Sequence, residues 1–88
     1  MSSWQIEFDR PAKKALKRMP ANLRRRILVA TYRLVENPFP PGSEKLVGYE
    51  SLYRIRVGDW RVLYLIEHDR LLILVVDIGP RGQIYRSL

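Results

Sequence analysis

The sequence contains no cysteine, one histidine and two phenylalanines among its 88 residues. Without thiols, neither a disulfide framework nor a cysteine-bearing metal site is available, so packing alone has to stabilise the fold. The longest unbroken apolar run covers residues 71–76, far short of the roughly 18 residues that indicate a membrane span. Residues 1–6 also lack a basic stretch followed by an apolar one. We therefore expect a cytoplasmic protein without a signal peptide or a membrane segment.

The length of the chain and its positive charge limit what it does. Eighty-eight residues suffice for one domain and are too few for two, so we expect residues 1–88 to form a single domain. Sixteen Lys and Arg against nine Asp and Glu give a formal net charge of +7. Such a field attracts polyanions, of which nucleic acid is the commonest in a cytoplasm. Charge alone leaves nucleic acid, an acidic partner and a merely soluble basic surface as alternatives.

The first half of the chain has the periodicity of a strand followed by two helices. Residues 4–8 alternate apolar and polar side chains, as a half-buried strand does. Asp9 is a plausible N-cap for a first helix that ends at Pro20. The apolar stripe of that helix consists of Ala12, Ala15, Leu16 and Met19. A second helix begins near residue 21 and closes before a loop at residues 38–43, which holds three prolines.

The second half of the chain changes to the period of β-strands. Residues 52–57 and 60–67 alternate, and Gly58-Asp59 between them is a turn. After a second turn at residues 68–70, residues 71–78 form a more continuous apolar strand, as expected at the centre of a sheet. The order of elements predicts an α+β fold: an N-terminal strand, a helical hairpin and an antiparallel β-meander, with the two helices packed on one sheet face.

Three arginines are predicted to cluster on the opposite sheet face. If Gly58 and Asp59 form a two-residue hairpin turn, Arg56 lies directly opposite Arg61. Because paired residues and residues two apart share a face, Arg54 joins them. Opposed like charges are unfavourable by a few tenths to about 1 kcal/mol, so the cluster is better suited to binding an anion such as phosphate. The alternative is a solvated face whose arginines shield a sheet edge.

The C-terminal segment is predicted to place two more residues near this face. A glycine-proline turn at residues 79–80 and a further glycine at position 82 follow the central strand and bring the chain around. Arg81 and Tyr85 would then lie near the end of the sheet. A tyrosine ring stacks on an unpaired base, and its phenol hydrogen-bonds to phosphate. The alternative for Tyr85 is an aromatic side chain that covers the sheet edge.

These residues resemble the RelE/ParE superfamily of toxin–antitoxin toxins over residues 6–85. The most specific run is Tyr-Arg-Ile-Arg-Val-Gly-Asp-x-Arg-Val-x-Tyr at residues 53–64, followed by Ile-Gly-Pro-Arg at 78–81 and Ile-Tyr at 84–85. The RelE branch is favoured, and it implies a ribosome-dependent endonuclease that cuts mRNA in the A site. The implied chemistry is attack of a ribose 2′-hydroxyl on the adjacent phosphate, without a metal or cofactor. The resemblance also implies a cognate antitoxin and a possible toxin–antitoxin heterotetramer.

The resemblance assigns roles to five positions of this chain. Arg61 and Arg81 would hold the phosphate and offset its growing charge. Arg54 and Arg56 would position the RNA backbone and assist the leaving oxygen electrostatically. Tyr85 would stack on a base or engage the 2′-hydroxyl. Together they are the expected catalytic and RNA-binding residues.

Two departures from the family pattern leave general acid–base catalysis unassigned. Well-studied relatives have lysines where this chain has Arg54 and Arg56, and arginine transfers protons poorly because its pKa exceeds about 12. Many relatives also carry a histidine where this chain has Pro80. The one histidine, His68, is expected to be a solvated turn residue. The alternatives are therefore a ParE-like inhibitor of DNA gyrase without nuclease activity and a basic RNA- or ribosome-binding module.

Overall fold

The computed structural model describes residues 4–80, which form a five-stranded sheet with two helices on one of its faces. The elements in chain order are β1 (Gln5–Phe8), α1 (Arg10–Arg18), α2 (Ala21–Tyr32), β2 (Glu44–Lys45), β3 (Leu52–Val57), β4 (Trp60–Glu67) and β5 (Leu72–Pro80). Short 3₁₀ turns follow α2 at Arg33–Val35 and β4 at His68–Arg70. The predicted α+β fold is confirmed. Within residues 4–80, no helix has both the length and the apolar character needed to cross a membrane.

The sheet has the strand order β1-β5-β4-β3-β2. The strands β2, β3, β4 and β5 pair antiparallel, which confirms the predicted meander, and β5 lies inside the sheet as expected. The first strand, β1, pairs parallel with β5, with Ile6 opposite Ile73. This pairing sets the first strand of the chain beside the last, and the two helices cross over one sheet face between them.

Both helices begin where the sequence predicts, whereas α2 ends at Tyr32, earlier than expected, and a 3₁₀ turn continues from it towards the loop. Asp9 caps α1, and its carboxylate accepts a hydrogen bond of 2.9 Å from the backbone N–H of Arg10. The C-terminal end of α1 is tied to α2 by Arg24. Its Nε donates to the carbonyl of Leu16 at 2.7 Å, and its Nη2 donates to that of Met19 at 3.1 Å. These bonds satisfy carbonyls that a helix end leaves without an intrahelical partner.

The core lies between the helices and one sheet face. Its buried members from the helical side are Ala12, Met19, Ile27 and Leu34, and from the sheet Ile55, Val57, Val62, Tyr64, Ile66, Ile73, Val75 and Ile78. Tyr64 is fully buried, and its hydroxyl donates to the carbonyl of Pro38 at 2.8 Å. This bond anchors the proline-rich loop to the sheet. Burial raises the pKa of Tyr64 to about 12, a hydrogen bond with Ser43 works against this rise, and the nearby Tyr53 adds to it.

The opposite sheet face carries a smaller apolar cluster. Leu52 and Leu63 are buried there, and three partly buried side chains pack against them: Leu46, Leu65 and Val76. The cluster occupies the part of β3 and β4 farther from the hairpin turn. The part of this face nearer the turn is the one that carries the arginines.

Candidate nucleic-acid interface

The β3–β4 hairpin brings the predicted arginines to one face of the sheet. Gly58 has a φ of 61°, the left-handed conformation that a tight two-residue turn requires. Arg56 pairs with Arg61, and Arg54 pairs with Leu63, as the sequence predicts. Because directly paired residues share a face, the three arginines project from the same side of adjacent strands. The predicted register is confirmed.

The three arginines share a face but differ in environment. Arg61 is buried, with 6% of its surface exposed, and its Nη1 donates to the carbonyl of Trp60 at 3.4 Å. The side chain of Arg54 is mostly covered, with 14% exposed. Arg56 is exposed to solvent. The face therefore presents one accessible guanidinium beside two that the fold holds in place, which is not the uniform solvated surface of the alternative interpretation.

A carboxylate that the sequence analysis missed lies beside Arg54. The two-residue strand β2 pairs Glu44 with Arg54, and the two side chains form an ion pair. Glu67, farther along β4, lies with its carboxylate 3.4 Å from the guanidinium of Arg70. Asp77 of β5, paired with Leu63, also belongs to the arginine face. The positive charge of this face is thus partly balanced at its edges.

Arg56 stands where the sheet edge is open. Strand β2 pairs only with Tyr53 and Arg54, so the last three residues of β3 have no strand on their outer side among residues 4–80. Arg56 lines a groove of about 270 Å³ together with Arg33, which follows α2. It also lines a second groove of about 520 Å³ with Arg25 and Arg26. The basic surface therefore continues from the sheet onto α2, which the sequence analysis did not anticipate.

The histidine lies far from these arginines. His68 is exposed in the turn after β4, as predicted, and about seven residues of extended strand separate it from Arg61, or roughly 20 Å. Its ring contacts Trp4 edge-on at 5.9 Å and stacks over Phe39 at 6.3 Å, contacts that the sequence analysis missed. His68 is therefore not placed to act as a general base beside the arginines. Within residues 4–80, no three His, Asp or Glu side chains lie close enough to hold a metal ion.

The predictions for Arg81 and Tyr85 concern residues outside the described part of the chain. The last described residues locate the point from which that segment starts. Gly79 pairs with Arg61 and Pro80 pairs with Trp60, so β5 ends beside the hairpin turn. The roles expected of Arg81 and Tyr85 stay predictions.

The fold is that of solved RelE toxins. A chain of the archaeal RelE–RelB complex from Pyrococcus horikoshii superposes with a TM-score of 0.80 at 30% identity, covering 92% of this chain and 98% of that chain. A chain of the RelB–RelE complex from Methanococcus jannaschii superposes with a TM-score of 0.72 at 26% identity, covering 92% of this chain and 96% of that chain. A chain of the intact Escherichia coli RelBE complex reaches 0.80 at 19% identity, covering 92% of this chain and 100% of that chain, and shows the fold alone.

The family is defined by the sequence as well. The family model of the ParE toxin of type II toxin–antitoxin systems matches residues 6–85, so the chain belongs to this toxin family. A putative toxin RelE1 from Methanocaldococcus jannaschii is 26% identical, over 96% of this chain and 97% of its own length. A putative RelE-like toxin protein from Escherichia coli is 28% identical, over 89% and 83%. Within the RelE/ParE superfamily, these relatives support the RelE-like branch.

Proposed function

We propose that this toxin is a ribosome-dependent endoribonuclease that cleaves mRNA in the A site. The observation that carries the proposal is the direct pairing of Arg56 with Arg61 across the hairpin, with Arg54 on the same face. This pairing sets like charges against each other in a sheet, where a stabilising sequence would have opposite charges or neutral side chains. An oxyanion with developing negative charge offsets that repulsion. We take this oxyanion to be an RNA phosphate, which the similarity to RelE toxins supports.

The proposed reaction is an internal transesterification. The 2′-oxygen of the ribose loses its proton and attacks the adjacent phosphorus, and the bond from phosphorus to the 5′-oxygen of the next nucleotide breaks. The products are a 2′,3′-cyclic phosphate and a 5′-hydroxyl, whose oxygen takes up a proton. Negative charge builds on the phosphate oxygens at the transition state, and fixed guanidinium groups stabilise it without reorganising.

The burial of the arginines supports a division of roles among them. Arg61 is almost excluded from water, so its charge acts through a medium of lower dielectric than solvent and is held in one place. We assign it to the phosphate that reacts, together with Arg81. Arg56 is exposed and Arg54 is mostly covered, and we assign both to the RNA backbone. Tyr85 stacks on a base or engages the 2′-hydroxyl in this proposal.

Proton transfer is the part of the reaction that the arginines do not perform. A guanidinium keeps its proton at any pH at which the protein is folded. The proposal therefore assigns electrostatic stabilisation to the toxin and assigns substrate alignment and proton exchange to the ribosome and solvent. This division explains why cleavage would depend on the ribosome.

A cognate antitoxin is part of the proposal. The similar archaeal and bacterial proteins were solved as RelE–RelB complexes, which supports an antitoxin partner for this chain. We propose that the pair acts in the cytoplasm and that two such heterodimers join into a heterotetramer. An antitoxin with acidic segments would meet a toxin of net charge +7, so their association should slow as salt is added.

Primer extension on mRNA-loaded ribosomes tests the nuclease proposal. The purified protein should produce cuts at A-site codons, and Arg61→Ala should reduce them at least about 100-fold, as loss of one oxyanion-stabilising group does. Arg10→Ala is the matched control, because Arg10 is an exposed arginine in the first turn of α1, directly after the edge strand β1. Equal activity of the wild type and Arg61→Ala would contradict the assignment.

The second candidate function is inhibition of DNA gyrase by binding. It is favoured by the description of the matching family model, which is that of the ParE toxin. A gyrase supercoiling assay run beside the ribosome assay separates the two functions. Inhibition of supercoiling without mRNA cuts would replace the nuclease proposal with this one, whereas cuts without gyrase inhibition would exclude it. RNA retention with neither effect would indicate a binding module.

A further inference from the structure

A second group of arginines lies next to the hairpin but on the helical side of the sheet edge, two of them on α2 and one directly after it. Arg25, Arg26 and Arg33 line the same groove of about 520 Å³ as Arg56. The guanidinium of Arg26 lies over the hairpin turn, since its Nη2 would be 3.4 Å from a Cβ atom built on Gly58. From Arg25 to Arg33 the helix rises roughly 12 Å, so the groove is longer than a single phosphate. We call these three side chains the α2 arginines.

The α2 arginines form no ion pair with the acids nearest to them in the described part of the chain. The ion pairs among residues 4–80 involve Arg54 and Arg70, and neither the α2 arginines nor Arg56 takes part in one there. All four side chains are exposed. Residues 21–35 contain no Asp or Glu, and Glu36, which lines a groove with Arg25 and Arg33, is not within ion-pair distance of either. Clustered like charges on one helix lower its stability. A surface kept for solubility alone would intersperse charges of both signs.

The type of cation also distinguishes this surface from the rest of the helical layer. Three of the five exposed basic residues of α1 are lysines, Lys13, Lys14 and Lys17, and arginines stand only at its two ends, whereas every basic residue of α2 is an arginine. An ammonium group is a compact and strongly hydrated charge. A guanidinium group is less hydrated and presents a planar fork that matches phosphate oxygens bidentately. Helix α1 carries five basic residues and α2 three, but only in α2 are all of them of the kind that matches phosphate oxygens bidentately.

We propose that the α2 arginines form a second RNA-binding site, which holds phosphates of structured RNA beside the cleavage site and separate from it. The choice of RNA among polyanions rests on the proposed function, because Arg56 belongs to both surfaces and a bound RNA extends from one to the other without a break in positive charge. In a ribosome-dependent enzyme, this site binds ribosomal RNA while the hairpin binds the mRNA. Binding at the second site adds affinity without contact to the reacting phosphate.

Removing equal charge from the two helices tests this site. The variant Arg25→Gln/Arg26→Gln/Arg33→Gln removes three charges from α2, and Lys13→Gln/Lys14→Gln/Lys17→Gln removes three from α1. Binding of a fluorescein-labelled 20-base-pair RNA duplex is followed by anisotropy between 50 and 200 mM KCl. Each phosphate contact steepens the slope of log K against log salt by about 0.9. Over this range the wild type should therefore lose about 40-fold more affinity than the α2 variant, and the α1 variant should keep nearly the wild-type slope.

Three controls keep the outcome decisive. Circular dichroism melts show that each variant is folded, and a triple Arg→Lys variant at the same α2 positions should recover the charge dependence but only part of the affinity. Equal loss in the α1 and α2 variants would overturn the proposal in favour of a general field. A labelled polyglutamate peptide that depends on the α2 arginines more strongly than the RNA duplex does would also overturn it, in favour of an acidic protein segment docking beside the exposed Val29 and Tyr32.

The binding measurement separates this inference from the nuclease proposal. If the protein binds the RNA duplex through the α2 arginines but makes no cuts on ribosomes, the proposed function is contradicted and the second site is supported. If it makes ribosome-dependent cuts but its affinity for the duplex does not depend on the α2 arginines, the proposed function is supported and the second site is contradicted.

Discussion

The guanidinium of Arg54 and the carboxylate of Glu44 form an ion pair across the β2–β3 pairing, on the sheet face that also bears Arg61. The carboxylate occupies a position where an RNA phosphate would also be attracted. Glu44 is largely exposed, at 59% of its side chain, whereas Arg54 is mostly covered. Because the carboxylate of Glu44 is largely in contact with solvent, another anion can displace it, so we expect RNA to compete with Glu44 for Arg54.

Neutralising Glu44 should strengthen RNA binding. Removal of one nearby negative charge at the surface is worth about 1 kcal/mol at low salt, which corresponds to an affinity roughly fivefold higher for the Glu44→Gln variant. Fluorescence anisotropy with a labelled single-stranded RNA measures the affinity of the variant and of the wild type. Glu7→Gln is the control, since Glu7 is exposed on β1 at the far edge of the sheet. The same rise in both variants would show that net charge alone is responsible.

Replacing Arg56 should stabilise the fold while weakening RNA binding. The opposed pair Arg56–Arg61 is unfavourable, so Arg56→Thr is expected to raise the free energy of unfolding by a few tenths to about 1 kcal/mol. Urea denaturation provides the measurement. Lys45→Thr serves for comparison, because Lys45 is an exposed strand residue that faces Tyr53 and no cation. A clear loss of stability in Arg56→Thr would mean that the paired guanidinium groups do not repel each other enough to lower the free energy of unfolding.

The hairpin turn should depend on glycine at position 58. Its φ of 61° lies in the left-handed region, where a side chain with a Cβ atom costs about 1–2 kcal/mol. Gly58→Ala should lower the free energy of unfolding by that amount in urea denaturation. Gly58→Asn should lower it less, because asparagine tolerates this conformation. Since the turn fixes which face Arg56 occupies, the alanine variant should also bind RNA more weakly.

Tyr64 should make the fold sensitive to alkali. Burial first of all raises its pKa from 10.0 to about 12, so the folded protein favours the neutral phenol. The stability linked to this group is complete below pH 10 and is lost as the pH rises towards 12. The loss amounts to about 2 to 3 kcal/mol. Tyr64→Phe should be less stable at neutral pH, where it lacks the bond to Pro38, and should fall less steeply above pH 10.

Chemical denaturation at pH 9, 10 and 11 gives the free energy of unfolding of each protein as a function of pH, and the slopes are compared. Tyr32→Phe is the matched control, since Tyr32 is an exposed tyrosine on α2. Parallel curves for the wild type and Tyr64→Phe would show that the phenol ionises without regard to folding.

The hairpin register was predictable because it depends on short-range information. A two-residue turn at Gly58-Asp59 fixes the pairing of the flanking strands, and the period of two then decides the face of every side chain. The helix bounds followed similarly from Asp9 and Pro20. Each of these features is encoded within a few residues of the place where it acts.

The environment of each arginine was not predictable, because it depends on partners distant in sequence. Strand β2 has two residues, too few to show a period, so the pairing of Glu44 with Arg54 left no pattern to read. The burial of Arg61 depends on the course of the chain beyond its own hairpin, including Gly79 of β5 opposite it. The grooves shared by Arg56 and the α2 arginines arise from the packing of a helix beside an open edge, which no local pattern specifies.

The parallel pairing of β1 with β5 has a consequence for biosynthesis. Gln5 finds its partner, Leu72, only after almost the whole domain has been translated. A growing polypeptide therefore has no neighbour for its first strand until the final strand emerges from the exit tunnel, and topology of this kind delays closure of the sheet. We expect nascent chains that stop before β5 to leave the sheet unfinished, with β1 unpaired.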